Sequence, residues 1–248
     1  MVRTYILRGL LAGVIAAAAA FGFARVVGEP QVERAVAREA AAAHQRDDPS
    51  EPAVVSRDVQ TTVGLATGLV VAGAALGGLF SLAFAVVYRR FADAGARGTA
   101  LAVAGAACIA VFVVPFLKYP ANPPAVGNPA TIGHRTALYF TLLAFSLVSL
   151  VISVACQRRL VARLSAWNAS LIAAATYLAL VAAAYVILPG VDEVAAGYPA
   201  SLLWRFRVAG AGIQCVLWVT IGLAFGTLTE RSERGAARSR SDLISAKG

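Results

Sequence analysis

Long stretches without a charged side chain dominate this sequence. Between Asp58 and Arg89, thirty consecutive residues carry no charge. Four further windows of twenty or more residues share this property: residues 98–117, 136–157, 164–191 and 208–229. Because about 20 residues of α-helix cross the apolar core of a bilayer, each window is long enough for one transmembrane helix.

A sixth, shorter apolar window lies near the N-terminus, at residues 9–24. It is bracketed by Arg8 and Arg25, whose long side chains can reach the membrane surface. The basic start and the alanine run also fit a cleaved signal peptide. However, the apolar stretch continues beyond the alanines, and Gly9 and Gly13 have the spacing of a helix-packing pair. We therefore predict an all-α, polytopic transmembrane helix bundle with six spans, or five if the first is cleaved.

The composition agrees with one membrane domain. Of the 248 residues, 59% are hydrophobic and only 14% are charged, a balance that a soluble domain could not keep in water. The net charge of +9 is scattered over short loops and the C-terminal tail, which argues against a nucleic-acid-binding face. The three cysteines, an odd number within or beside the predicted spans, indicate packing and not a disulfide framework.

The sequence also lacks the common motifs of enzymes. It contains no GxxxxGK[ST], HExxH, GxSxG or CxxC run, which excludes P-loop ATP hydrolysis, zincin and serine hydrolase chemistry and thioredoxin-like redox. Only two histidines are present, His44 and His134, so haem ligation between helices is not expected. We predict no enzymatic activity and no permanently bound cofactor.

The distribution of positive charge predicts the orientation of the spans. With the N-terminus in the cytoplasm, the inner segments carry thirteen basic and four acidic residues, and the outer segments carry nine of each. Since cytoplasmic loops are enriched in Lys and Arg, both termini are predicted to be cytoplasmic. The chain then divides into a transmembrane domain, residues 1–229, and a basic tail, residues 230–248, which we expect to be disordered because it is poor in apolar residues.

The first predicted outer loop begins with Gly28-Glu29-Pro30-Gln31. Proline at the start of the alanine-, arginine- and glutamate-rich stretch 31–44 is typical of a helix N-terminus. Glu29 lies where the first span meets the surface, and it is either a solvated cap or a ligand for a cation.

The second outer loop, residues 116–135, is the most distinctive segment and is called the proline loop below. Four prolines and two asparagines within eleven residues forbid regular helix and impose turns. Irregular backbone near a membrane needs protein or a watery cavity to satisfy its carbonyls. We predict a permeation mouth here, formed by Lys118, Tyr119, Asn122, Asn128 and Arg135.

His134 lies at the end of the proline loop, and its imidazole together with loop oxygens could bind a divalent cation. The alternative is a proline-rich cap with no ligand role. The third outer loop adds Asp192 and Glu193 as further candidate metal ligands, so the predicted set is His134, Glu29, Asp192 and Glu193.

The third outer loop ends in Trp204-Arg205-Phe206-Arg207, which is typical of an interfacial anchor. If the sixth helix begins earlier, at Ser201, Arg205 and Arg207 would lie within the membrane. They would then need a carboxylate or carbonyl partner, which Asp192 or Glu193 could supply, and would become functional candidates.

Several of these stretches resemble the CbtA family of bacterial proteins, proposed cobalt transporter subunits, over about residues 3–228. The proline loop is the most specific match, and the glycine matches are weak by themselves. The matching stretches are RGLLAG (8–13), FAR (23–25), GEPQ (28–31), GGLF (77–80), VPFLKYPANPPAVG (114–127), GHRTALY (133–139), WN (167–168) and LWRFR (203–207).

The resemblance implies a subunit that moves Co²⁺ inward across the bacterial inner membrane, in a process linked to cobalamin metabolism. It also implies a small, single-span, histidine-bearing partner (CbtB-like), which suits a chain that has only two histidines. The family is described with about five spans, whereas the charge-free windows predict six here.

Two hypotheses follow. In the first, outer acids attract the cation, and His134 with loop oxygens replaces part of its hydration shell. Its difficulty is that, between Gly64 and Phe225, no span contains an acidic residue to accompany a doubly charged ion. In the second, the chain is a non-transporting scaffold for the metal-binding partner. A transporter of a different solute is a further alternative.

Overall fold

The computed structural model describes residues 2–45, 55–88, 95–124 and 126–245, and within these ranges every regular element is helical. Six helical segments are long and apolar enough to cross a membrane, and each coincides with one of the six windows found in the sequence. They are Val2–His44, Arg57–Tyr88, Gly95–Lys118, Pro129–Leu160, Ala166–Ile187 and Ala200–Ser239. The prediction of an all-α, multi-pass membrane protein is confirmed; the orientation of the termini stays a prediction.

The α-helices are numbered in chain order. They are α1 Val2–Phe23, α2 Glu29–Gln45, α3 Arg57–Val59, α4 Leu65–Tyr88, α5 Gly95–Ala107, α6 Val114–Lys118, α7 Ile132–Leu160, α8 Ala166–Ile187 and α9 Ala200–Ser245. A 3₁₀ turn at Pro129–Thr131 leads into α7.

Wide π-helical turns let two of these segments continue past a proline. The turn Ala24–Gly28 directly precedes the helix turn that contains Pro30, and the turn Cys108–Val113 precedes the one that contains Pro115. Proline lacks an N–H and its ring clashes with the carbonyl four residues earlier. A π turn widens the backbone at that position, so the chain stays helical where a regular α-helix would break.

The chain forms two compact units. The first comprises Met1–Ala107 and Val208–Gly248, and the second comprises Cys108–Arg207. In the first unit, α1 and α4 meet through glycines: a Cβ atom at Gly73 would lie 2.6 Å from Gly13 O, and one at Gly9 or Gly77 would overlap a carbonyl oxygen of the facing helix. Missing side chains therefore let the two backbones touch.

The other faces of the first unit are also closely packed. Phe80, Phe84 and Phe225 form an edge-to-face cluster, with Phe84 and Phe225 fully buried. A Cβ atom at Gly222 would lie 3.0 Å from Ala104 Cβ, so α9 approaches α5 closely as well. The glycines at these contacts act in helix packing, as the spacing of Gly9 and Gly13 predicted.

The last helix is longer than the sequence suggested. It continues past Glu230 to Ser245, through the segment predicted to be a disordered tail; residues 246–248 and the side chains of 240–244 lie outside the description. Within it, Arg234 Nη2 lies 2.6 Å from Glu230 Oε1, one helical turn away, and Arg97 pairs with the same carboxylate. Such pairs support a polar helix. The division of the chain at residue 229 stays a prediction.

In the second unit, α7 packs along α8. The buried face of α7 carries Leu138, Leu142 and three serines, and the fully buried residues of α8 are Ala169, Ala173 and Ala184. Ser146 Oγ lies 2.7 Å from Tyr177 OH, which satisfies both hydroxyls inside the helix pair. A small apolar core forms around Val114, Leu142 and Ala184, where the start of α6 packs against α7 and α8.

Candidate functional site: a polar cavity at the proline loop

The second unit contains a cavity of about 750 Å³, called the loop cavity below. It lies among the proline loop, the start of α7, the connection between α8 and α9, and the second turn of α9. Its lining is Leu117, Lys118, Tyr119, Pro120, Asn122, Val126, Ile132, Arg135, Thr136, Tyr139, Phe140, Val191, Asp192, Glu193, Val194 and Arg207. Four of the five predicted mouth residues are thus brought together on one surface, along with two of the predicted metal ligands and Arg207.

Glu193 organises this surface. Its carboxylate accepts hydrogen bonds from the Thr131 hydroxyl at 2.6 Å and from the Asn128 N–H at 2.9 Å, and it forms an ion pair with Arg135 at 3.2 Å. The Thr131 and Asn128 hydrogen bonds, with a smaller contribution from Arg135, hold the pKa of Glu193 below its ordinary value. The carboxylate therefore ties the connection after α8 to the proline loop in its charged form.

A glycine makes this arrangement possible. Gly127 has φ +105°, a backbone conformation that residues with a side chain rarely adopt. A Cβ atom there would also lie 2.6 Å from Arg135 Nη1 and 2.9 Å from Glu193 Oε2. Both the turn and the space beside the ion pair thus require glycine.

Asn128 closes the turn that follows. Its side-chain oxygen accepts a hydrogen bond from the Ala130 N–H at 2.9 Å, which caps the 3₁₀ turn, and its carbonyl accepts one from Arg135 Nη2 at 3.2 Å. Asn128 is therefore a structural residue of the proline loop, and its side chain is outside the cavity lining.

Lys118 anchors the opposite end of the proline loop. Its Nζ donates to Tyr185 O at 2.9 Å, one of the carbonyls left free at the end of α8, and lies 5.6 Å from the ring centres of Tyr119 and Tyr185. Tyr119 OH donates to Pro189 O at 2.7 Å, and Tyr185 OH donates to Val114 O at 2.5 Å. The ammonium group and the two phenol groups thus provide hydrogen-bond donors for three backbone carbonyls in α6, in α8 and in the loop after α8.

Arg207 comes from a helix that begins at Ala200, earlier than the charge-free window indicated. Its Nε donates to Ala121 O at 3.2 Å and its Nη2 donates to Asn122 Oδ1 at 2.8 Å. The partner of this arginine is thus the proline loop, and neither Asp192 nor Glu193 fills that place. Arg205, two residues earlier, is exposed, as is Trp204, at 69%.

The four predicted metal ligands do not converge in the described residues. His134 is exposed outside the cavity lining, Asp192 is exposed on the lining, and Glu193 is engaged as above. Glu29 belongs to the first unit, where its carboxylate is 12% exposed and accepts a hydrogen bond from Arg57 at 2.9 Å. Over the described part of the chain, no group of three or more His, Cys, Asp or Glu could hold a metal ion. The ligand assignments stay predictions.

Sequence reasoning missed three residues that shape the cavity. Thr131 donates a hydrogen bond to the Glu193 carboxylate, and Gly127 forms the turn beside it. Tyr185 connects α8 to α6 through a hydrogen bond. The glycine in a proline- and asparagine-rich loop was a usable signal for a positive φ. No local pattern marks Thr131 or Tyr185, because their partners are 62 and 71 residues away in the chain.

The comparisons with known proteins agree with the resemblance seen in the sequence. The model of a protein family described as "Probable cobalt transporter subunit (CbtA)" matches residues 2–230. Neither the search of curated proteins nor the search of solved structures produced a match. The family match covers the first five membrane-spanning segments, the sixth as far as residue 230, and the whole lining of the loop cavity. The chain is therefore a multi-pass membrane protein and belongs to the CbtA family of probable cobalt transporter subunits.

Proposed function

We propose that this chain is the membrane subunit that admits Co²⁺ inward through the bacterial inner membrane, in support of cobalamin metabolism, and that the loop cavity is its outer mouth. The observation that carries the proposal is the family match over residues 2–230. The cavity supports it because Lys118, Tyr119, Asn122 and Arg135, expected at a mouth from the sequence, line it together. The role is transport without catalysis.

In this proposal, the exposed Asp192 on the lining and the exposed His134 nearby provide the first contacts with the metal. Carboxylate and imidazole are both suitable ligands for a divalent transition metal. Glu193 contributes indirectly. Its oxygens already accept hydrogen bonds from the proline loop, and they hold that loop in its conformation. Glu29, paired with Arg57 in the first unit, is the least available of the four candidate ligands.

A partner subunit completes the ligand set. The described residues hold no cluster of three metal-ligating side chains, and a partially hydrated divalent ion needs several ligands to leave water. A small, single-span, histidine-bearing subunit of the CbtB type would supply imidazoles that this chain lacks. The family description of the chain as a subunit agrees with such a partner.

A scaffold that stabilises the metal-binding partner without moving metal is the second candidate. The observation in its favour is the tight glycine packing of α1 on α4, which builds a rigid surface and no polar route. The absence of any acidic residue from the spans between Gly64 and Phe225 points in the same direction.

A measurement of labelled cobalt uptake distinguishes the transporter from the scaffold. Bacterial cells without their own cobalt importers would express the chain with and without the small partner. Transport predicts accumulation that depends on this chain and falls severalfold with His134→Ala, whereas His44→Ala, which removes the other exposed histidine, on α2, leaves it unchanged. Unchanged metal content, together with loss of the partner from membranes when the chain is deleted, would establish the scaffold instead.

A further inference from the structure

The lining of the loop cavity has more positive than negative side chains, and this excess bears on which ligand it can bind. Its lining contains three basic residues, Lys118, Arg135 and Arg207, and two acidic residues, Asp192 and Glu193. Arg135 and Glu193 neutralise each other at 3.2 Å, with side chains 25% and 19% exposed. Two cations and one carboxylate then remain for a ligand to meet.

Those two cations are held by neutral oxygens. Lys118 donates to the Tyr185 carbonyl, and Arg207 donates to the Ala121 carbonyl and the Asn122 amide oxygen. Within the described residues, neither forms an ion pair. A carbonyl positions a cation but leaves its full charge in place, and both groups keep further N–H donors that can reach a ligand.

A divalent cation that enters without an anion would meet Asp192 but also two fixed positive charges, beside walls that include Tyr139 and Phe140. An accompanying anion would offset those positive charges. A carboxylate is the complementary group, because arginine and lysine bind it through charge-assisted hydrogen bonds. The volume of about 750 Å³ falls within the range of small-molecule sites and is far more than one ion needs.

We propose that the loop cavity binds a small polycarboxylate anion, either free or as its chelate with a divalent metal, through Lys118 and Arg207. The chelate form rests on the proposed function, because in that form the anion brings bound cobalt to the cavity. Asp192, exposed on the same lining, then offers a carboxylate to the chelated ion. The free-anion form stands independently of cobalt transport.

Titration calorimetry on the purified full chain, in detergent at about 0.15 M salt, tests the inference with three probes: citrate, an equimolar cobalt–citrate mixture and Co²⁺ alone. We expect citrate or its cobalt complex to bind, and Arg207→Gln to raise Kd by roughly tenfold or more, the usual effect of losing a charge-assisted hydrogen bond. Arg205→Gln is the matched control, because Arg205 is exposed and outside the lining.

Thr131→Val separates anion binding from loop packing. It removes one hydrogen bond between the proline loop and Glu193 but keeps both cations, and Thr131 is outside the lining, so citrate affinity should stay within about threefold of the original. Equal losses in Thr131→Val and Arg207→Gln, equal losses in the two arginine variants, or binding of Co²⁺ with no binding of citrate would each overturn the inference. Binding is measured without transport, so a failure of cobalt uptake leaves this test independent.

Discussion

The two units are built on opposite principles. In the first, α1 and α4 meet backbone to backbone through Gly9, Gly13, Gly73 and Gly77, and the rest of the core combines many alanines with a cluster of phenylalanines. In the second, a carboxylate, an ammonium and two guanidinium groups hold loops whose backbone is irregular. Apolar packing in a membrane depends on volume, whereas a polar loop depends on satisfied hydrogen bonds. The first unit should thus respond to added atoms and the second to changed charge and backbone conformation.

The largest expected effect is that of Gly77→Ala. Its methyl group would overlap Gly9 O on α1 and force the helices apart, at a cost of about 1–3 kcal/mol. Gly68→Ala on the same helix has nothing within 4 Å and should be neutral or stabilising, by up to about 1 kcal/mol of helix propensity. Thermal unfolding in detergent measures both. Equal behaviour of the two variants would refute the volume argument for the first unit.

A smaller effect, confined to the second unit, is expected for Gly127→Ala. The variant must strain a positive φ and displace Arg135 or Glu193, at roughly 1–2 kcal/mol. Hydrogen exchange should rise across the proline loop while α1 and α4 keep their protection. Gly133→Ala, which meets nothing within 4 Å at the start of α7, is the control. Increased exchange in α1 as well would show that the two units do not respond separately.

The smallest effect should be the pH dependence carried by Glu193. Because its pKa is lowered in the folded chain, the stabilisation from its ionised form is complete above the unfolded pKa and is lost as pH falls through the folded value. The melting temperature of the original chain should exceed that of Glu193→Gln at pH 7, and the gap should narrow progressively as the pH falls below 4.5, the ordinary pKa of a glutamate. Asp192→Asn, which leaves the Thr131 and Asn128 bonds intact, controls for the loss of one negative charge. A gap that does not change as the pH is lowered would contradict the assignment.

The spans were predictable because their signal is local. Twenty uncharged residues suffice to identify a membrane helix, since no other environment stabilises so much apolar surface, and all six windows were found. The helical extension from Glu230 to Ser245 was not foreseen, because composition alone could not reveal the pairing of Glu230 with Arg97 and Arg234. The early start of α9, at Ala200, was predicted only as an alternative, in which the last helix begins at Ser201.

By itself, the sequence determined that the chain crosses a membrane and that the proline loop is irregular, because both follow from neighbours along the chain. Only the tertiary structure decided which partners the polar residues in and around that loop take. Lys118 meets a carbonyl 67 residues away, Arg207 turns to Asn122 across 85 residues, and Glu193 holds Thr131 across 62. Such pairings depend on how helices return through the membrane, and a local pattern of charge and hydropathy carries no information about them.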